Sequence, residues 1–406
     1  MRYNFPQDLH LDEVRKVTQR ANKRLGSPVF LEIDRGEFVV FNYMISFREV
    51  WDFPEGGIDR EHAILRECRG LIFRKCGTLV GRRMHKFYNV NERAETHVDA
   101  IDWSKPHVVL EKLDGSFLTP VPVGNWPQDY EVRWATKLGI TEVAEKVCPF
   151  IARNPQYDEF ARFCLTNGIT PIFEFCSMNQ RIVLAYPQDR LVLLAARNNR
   201  TGHYYSYGEL SDWAKTWDLE LVGVHDVKMT DPKSAIDTVR GLKGEEGVIV
   251  RFEDGHMVKI KADEYCLIHG TVSDIVSEKN VINLIVFEGI DDALPLLPDD
   301  GRAQMEDFIA KFNAGIDASA AKARALAEVG VETVGLENGK AFAEYVAQQP
   351  GLLRKAIFHA ARGFDPRSAI LNGLRTSIGS GPKIDQVRSL WGGHKWVWTG
   401  QVPDDE

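Results

Sequence analysis

The chain has 406 residues, 44% hydrophobic and 27% charged, with 50 Lys plus Arg against 58 Asp plus Glu and a net charge of −8. That balance excludes a largely disordered chain and a uniformly basic coat for nucleic acid, while leaving room for a locally basic groove. No apolar stretch follows the first positive charges, the longest apolar runs (LVLLAA, VINLIVF) are too short for a bilayer, and six scattered cysteines form no CxxC pair. A cytoplasmic protein with reduced thiols, no zinc site and no membrane span is expected.

In chain order, Leu11, Val14, Val17, Ala21 and Leu25 recur at helical spacing, with Gly26 placed to cap a first helix. From about residue 29 to 268 the texture is strand-rich: PVFLEI, EFVVFNYMI, GLIFR, HVVLEKL, YEVRWATK, TPIFEFCS, RLVLLAAR, EGVIVRF and HMVKIK are separated by Gly, Asp, Asn and Pro turns. Two helical stretches, 141–168 and 208–218, interrupt it without a regular βαβ beat. An α+β domain with mostly antiparallel sheets is predicted over 1–268. Ala-rich segments with apolar residues at helical spacing follow, so 269–385 is predicted as an all-helical domain punctuated by Gly330, Gly351 and Gly363, and 386–406 as a loose Trp-rich tail.

Charge is shared unevenly. Seven basic residues lie between Arg66 and Lys86 beside one acid, Glu67, and eight lie between Arg354 and Lys395 against Asp365 and Asp385. Solvated faces and phosphate-facing surfaces both fit that pattern.

Five strings carry chemistry. In EKLDGS, a buried strand leads to an Asp-Gly turn, which puts Lys112 at a strand end, where a lysine can serve as a nucleophile; an exposed hairpin lysine is the plainer alternative. In HMVKIK, Lys259 and Lys261 share one strand face while Val258 and Ile260 point to the core. Two such cations suit a bound anion, or an edge strand guarded by charge. In GEEGVIVRF, Glu245 and Glu246 stand at a strand start, where carboxylates can hold Mg²⁺ or simply face water. In PIFEF, Glu174 lies opposite Phe173 and Phe175 and needs a partner, either a ribose hydroxyl or Arg181. Upstream, Arg69, Gly70 and Lys86 with Phe87, Tyr88 and Asn89 combine cations with rings, as phosphate contact and base stacking require, and Lys137 adds a cation.

The order RG, KFYN, KLDG, FEF, EEGVIV, VKIK, over roughly residues 40–268, resembles the covalent nucleotidyltransferase superfamily of ATP-dependent ligases and capping enzymes. Within it the chain looks most like the phage-type RNA ligase 1 family. The resemblance implies an adenylyltransferase domain over 1–268 and an RNA-specificity role for 269–385. It implies that Lys112 attacks the α-phosphate of ATP to form lysyl-AMP, with Lys259, Lys261 and Glu246 as the other catalytic residues. Arg69, Lys86, Tyr88, Glu111, Gly115, Lys137 and Glu174 join Glu246, Lys259 and Lys261 in the implied nucleotide-binding set, Glu174 on the ribose. Glu246 is the implied metal ligand for Mg²⁺, with Mn²⁺ as the alternative ion, and Tyr265 matches a family tyrosine. Neighbouring cations would lower the Lys112 ammonium pKa. The implied substrate is RNA with 5′-phosphate and 3′-hydroxyl ends, broken tRNA among the candidates, joined by a phage-encoded or cytoplasmic monomer. A GTP-using capping-type enzyme and a catalytically inactive RNA-binding relative are the rival readings.

Overall fold

A computed structural model of the chain describes residues 4–25, 28–43, 58–177, 183–287, 290–294, 297, 299–377 and 381–399. The contact pattern divides the chain into two compact units, Met1–Cys266 and Leu267–Glu406. The boundary falls inside the helix Asp263–Ile275.

Thirteen strands are found among the described residues of the first unit, in three sheets. The first is an antiparallel meander of β1 (Phe30–Arg35), β2 (Phe38–Tyr43), β3 (Arg69–Arg74) and β4 (Leu79–Gly81). The predicted first helix spans Leu11–Leu25 and packs Val14, Val17 and Ala21 against Phe41, Leu71 and Phe73. Gly26, its predicted cap, and Arg181 lie outside the described residues.

The second sheet has the order β5-β13-β12-β6, from β5 (Tyr88–Asn89), β6 (His107–Glu111), β12 (Gly247–Phe252) and β13 (Met257–Lys261). The third has the order β11-β10-β9-β7-β8, from β7 (Ser116–Asn125), β8 (Asp129–Ala135), β9 (Ile169–Cys176), β10 (Arg190–Asn198) and β11 (Glu220–Leu221). These two sheets pack face to face: Leu110, Ile249 and Met257 of one meet Ile172, Val192 and Leu194 of the other in a shared core. Their outer faces are covered by helix Pro232–Arg240 on one side and by helices Gln156–Thr166 and Tyr207–Trp217 on the other. The layers are helix, sheet, sheet, helix, each burying an apolar face that it could not satisfy alone.

Part of the basic stretch before residue 86 is consumed inside this unit. Glu67 is bridged by Arg82 at 2.9 Å and Arg197 at 2.7 Å, with all three side chains essentially fully buried. Arg82 also donates to the carbonyls of Pro6 and Asn199, and Arg197 to those of Arg83 and Gly202. Arg66 pairs with Glu95 at 2.6 Å.

The second unit is helical. Its longest helix runs for 36 residues, Asp299–Val334, and its Phe308, Phe312, Ile316, Ala320, Ala323 and Ala327 fill the core. Gly330, predicted as punctuation, lies inside it. A Cβ there would stand 2.5 Å from the Tyr345 ring, so glycine admits a close helix crossing rather than a break. Gly363, at φ +80°, does terminate the helix Arg354–Ala361. The loose tail is also corrected over 386–399: Trp391 is fully buried and its indole donates to the His394 carbonyl, and Trp396 donates to that of Ile275. Residues 400–406 lie outside the described set. Among the described residues no helix is long and apolar enough to cross a membrane.

Candidate active site

β6 ends at Glu111 and β7 begins at Ser116, but the two strands belong to different sheets. The Leu113-Asp114-Gly115 bend therefore carries the chain from one layer of the sandwich to the other, rather than closing a hairpin. Lys112 stands at that crossing, 8% exposed. Its amide donates to the Gly247 carbonyl at 2.9 Å, extending the β6–β12 ladder by one residue.

The register decides which side chains join it. Val248 pairs with Glu111 and Ile249 with Leu110, while Gly247 faces Lys261 and Ile249 faces Lys259 across β13. Since directly paired residues share a sheet face, Lys112, Gly247 and Lys261 form one row, and Leu110, Ile249 and Lys259 the next, on the face turned to the third sheet. Val258 and Ile260 point to the opposite core, as predicted from alternation. β13 lies between β5 and β12, so its lysines are not guarding an open edge.

Glu246 stands at the start of β12, 2% exposed, with its Oε1 2.5 Å from Lys112 Nζ and 3.5 Å from Lys261 Nζ. One buried carboxylate thus gathers two of the predicted lysines. Glu245 behaves differently: it is half-exposed and 3.4 Å from the His225 imidazole. Gly247 makes the crowding feasible, since at φ +138° a Cβ would lie 2.1 Å from the Ile260 carbonyl oxygen.

The third sheet supplies the facing wall. Glu174 on β9 is 4% exposed and lines the same small pocket as Lys112, with Phe117, Leu194, Ile249 and Met257. Phe173 and Phe175 point into the other core. Gly115 is required where β7 crosses Glu174, because a Cβ would meet the Phe175 carbonyl oxygen at 2.5 Å. Glu111 also borders the pocket and folds its carboxylate over Gly223, where a Cβ would come within 2.6 Å.

A second group of predicted residues converges a little apart. Lys86, 4% exposed, donates to the Tyr43 hydroxyl at 3.1 Å. Burial pushes that phenol up, but the charges of Arg69, Lys86 and Lys137 outweigh it and leave it below the ordinary tyrosine range. Gly70, at φ +77°, lets Lys137 approach: a Cβ there would stand 2.7 Å from the Lys137 Cα. Arg69 connects the groups by lying over the rings of Phe87 and Phe117, the latter a wall of the Lys112 pocket. Tyr88 is 1% exposed and sits in the core of the first sheet, its ring faced by Arg66, Lys86 and Arg93 at 4.9–5.5 Å. That placement makes it a support for the cations rather than a pocket wall.

Three residues escape the sequence reading. Asp114, read there only as a turn former, accepts from the amides of Val183 and Leu184 at 2.8 and 2.6 Å and from the Tyr265 hydroxyl at 2.8 Å. It pins the crossing, and Tyr265 acts through it. Tyr43 ends a strand, and nothing in its spacing marks it. Arg251, in the motif strand itself, has the alternation of a core position.

Among the described residues no group of three or more His, Cys, Asp and Glu side chains stands ready to hold a metal. Glu246 remains the one candidate ligand from the sequence, and Mg²⁺ typically takes one or two carboxylates and completes its shell with waters and substrate phosphates.

The order of these motifs is the one by which the sequence resembles the covalent nucleotidyltransferase class. Residues 67–265, just under half of the chain, match the family model described as RNA ligase. A protein of Thermovibrio ammonificans named "Putative RNA ligase" is 32% identical over 189 residues, 46% of this chain and 46% of that one. A protein of Autographa californica nuclear polyhedrosis virus named "Putative bifunctional polynucleotide kinase/RNA ligase" is 26% identical over 284 residues, 65% of this chain and 40% of that one. The chain thus spans less than half the length of these curated relatives. Among solved structures, the RNA ligase of Naegleria gruberi in a form with ATP and Mn has 15% identity and a TM-score of 0.37, covering 45% of this chain and 57% of that one.

Proposed function

We propose that the chain is an ATP-dependent RNA ligase that joins a 5′-phosphate to a 3′-hydroxyl through lysyl-AMP and RNA-adenylate. The observation that carries this is the buried Lys112 at the sheet crossing, held against Glu246 with Lys261 on the same carboxylate. A surface lysine would be solvated and unpositioned. This one is aimed into a pocket whose other wall bears a carboxylate suited to a ribose hydroxyl, Glu174.

In the first step Lys112 Nζ, as the neutral amine, attacks the α-phosphorus of ATP: a P–N bond forms, the bond to the bridging oxygen breaks, pyrophosphate leaves, and the nitrogen gives up one proton. Glu246, adjacent to Nζ, is placed to take that proton. Lys259 and Lys261 offset the charge on the phosphoryl oxygens, where positioning and neutralisation do most of the work. Arg69, Lys86 and Lys137, gathered around Tyr43, suit the departing pyrophosphate. A divalent ion, Mg²⁺ or Mn²⁺, held by Glu246 and the phosphates would add Lewis-acid charge neutralisation. An RNA 5′-phosphate oxygen then displaces Lys112 from the adenylyl phosphorus, and an RNA 3′-hydroxyl attacks the activated 5′-phosphate and expels AMP.

The pocket itself measures about 20 Å³, roughly one water, so the base enters only as the side chains between the sheets part. With α-labelled ATP and a divalent ion, the protein takes up an acid-labile label and passes it to 5′-phosphorylated RNA. Lys112→Ala abolishes the label. Persistent labelling of that variant, or labelling from GTP in place of ATP, overturns the reading.

The helical unit is proposed to select the RNA, broken tRNA being one candidate. Its basic residues support this only selectively. Arg367 is bound to Asp317, Arg375 to the Val286 carbonyl and Arg354 to the Ala347 and Gln349 carbonyls. A chain ending after residue 276 is expected to keep the label and lose sealing of structured RNA. Unchanged sealing removes the assignment.

A further inference from the structure

The row pattern that assembles the site continues one step past it. On the pocket face of the second sheet, Lys112, Gly247 and Lys261 form the first row and Leu110, Ile249 and Lys259 the second. The third row is Val108, Arg251 and Met257. Arg251 is therefore two rows beyond the reactive lysine, about 13 Å along the strand at the usual rise per residue. That separation is comparable with the reach of a nucleotide from its phosphate to the far edge of its base.

Arg251 does not belong there as a structural residue. It is 5% exposed, its neighbours across both strands are apolar, and it lines the same pocket as Lys112 and Glu174. Its Nη1 is buried with no hydrogen-bond partner. The titratable groups whose charge bears on it are Tyr204 and Tyr207, both neutral at pH 7, and no carboxylate of the described residues pairs with it. The Glu67 cluster is the contrast, since its two buried arginines are surrounded by a carboxylate and carbonyls. A guanidinium is donor-only and stays charged in a protein, so a buried unpaired N–H is costly unless an acceptor arrives.

We infer that Arg251 is the base-reading residue of the nucleotide pocket, donating from Nη1 to a ring nitrogen of the adenine once the base enters between Leu194 and Ile249. This rests on the ATP-dependent reading above and adds to it a determinant of which nucleotide is accepted. The phosphates are held in the first row, the ribose by Glu174 across the sandwich, and the base edge meets a donor that tolerates only acceptors.

The test uses the full chain and needs no variant for its first arm. Rates of lysyl-adenylate formation are measured with ATP and with 1-deaza-, 3-deaza- and 7-deaza-ATP, each lacking one ring acceptor. One analogue is expected to raise KM roughly 10–100-fold, as loss of a charge-assisted hydrogen bond does, with little change in kcat. Arg251→Met should raise KM for ATP by a similar factor and no longer distinguish that analogue, while Arg251→Lys should recover part of the loss. Equal KM for all four nucleotides in the unmodified protein overturns the inference, as does an Arg251→Met protein that still discriminates. If Arg251→Met does not fold, the analogue series alone decides. Failure of ATP itself to label the unmodified chain would instead remove the ligase reading.

Discussion

Two buried ion clusters in the first unit have the same stoichiometry and different chemistry. Glu67 faces Arg82 and Arg197; Glu246 faces Lys112 and Lys261. Each places one carboxylate between two cations. In the first, planar guanidinium forks spend their remaining N–H groups on four backbone carbonyls from three separate segments, and neither cation can lose a proton. In the second the cations are ammonium point charges on flexible stems, one at a bend between sheets, and an ammonium can become a nucleophile. The choice of arginine or lysine, more than the count of charges or the degree of burial, separates the girder from the proposed reactive group.

Exchanging the chemistry tests that contrast most sharply. Lys112→Arg keeps the charge against Glu246 but removes the proposed nucleophile. Covalent labelling should fall at least about 10³-fold, while the thermal midpoint moves by only a few degrees. A labelled Lys112→Arg protein would dissolve the distinction.

Glu67→Ala should do the reverse. Leaving two buried guanidinium groups without a carboxylate is expected to cost about 3–5 kcal/mol in denaturant unfolding, with labelling per folded molecule unchanged. A loss below about 1 kcal/mol would mean that the carbonyls alone satisfy the arginines.

Acid gives a graded version of the same experiment. Burial pushes the Glu67 carboxyl up, but Arg197 and Arg82 outweigh it and bring it from its ordinary 4.5 to about 2. Since the folded value is the lower one, the stabilisation is complete above the unfolded value and is lost as pH falls from 4.5 toward 2. The amount is on the order of 3 kcal/mol. Unfolding curves of Glu67→Gln should lose that component of the acid dependence.

Smaller effects sharpen the site. Gly247→Ala forces a Cβ against the Ile260 carbonyl and is expected to cost about 2–3 kcal/mol and displace Glu246. Glu245→Ala, one residue earlier, should leave stability within about 0.5 kcal/mol and labelling unchanged. A strong effect there would place the functional acid at the wrong position.

Local pattern made much of this legible. Period-two alternation placed Lys259 and Lys261 on one face, and Glu174 opposite two phenylalanines, because a pleated strand leaves no other choice. Glu246 could be preferred to Glu245 only by resemblance; its burial distinguishes them physically. Helix punctuation read less well. Gly330 looked like a break, yet it relieves a clash with Tyr345 that no sequence window contains. The Trp-rich end looked loose because its partners, Ile275 and Glu278, lie more than a hundred residues earlier.

By itself, then, the sequence determined the strands, the faces their side chains occupy and the motif order that points to RNA ligation, since these follow from backbone periodicity and short-range chemistry. Only the tertiary structure decided that the KLDG bend crosses between sheets, that Asp114 pins it, that Arg69, Lys86 and Lys137 meet at Tyr43, and that Arg251 ends the pocket. Those facts depend on register between distant strands, and a shift of one residue would send every side chain to the other face.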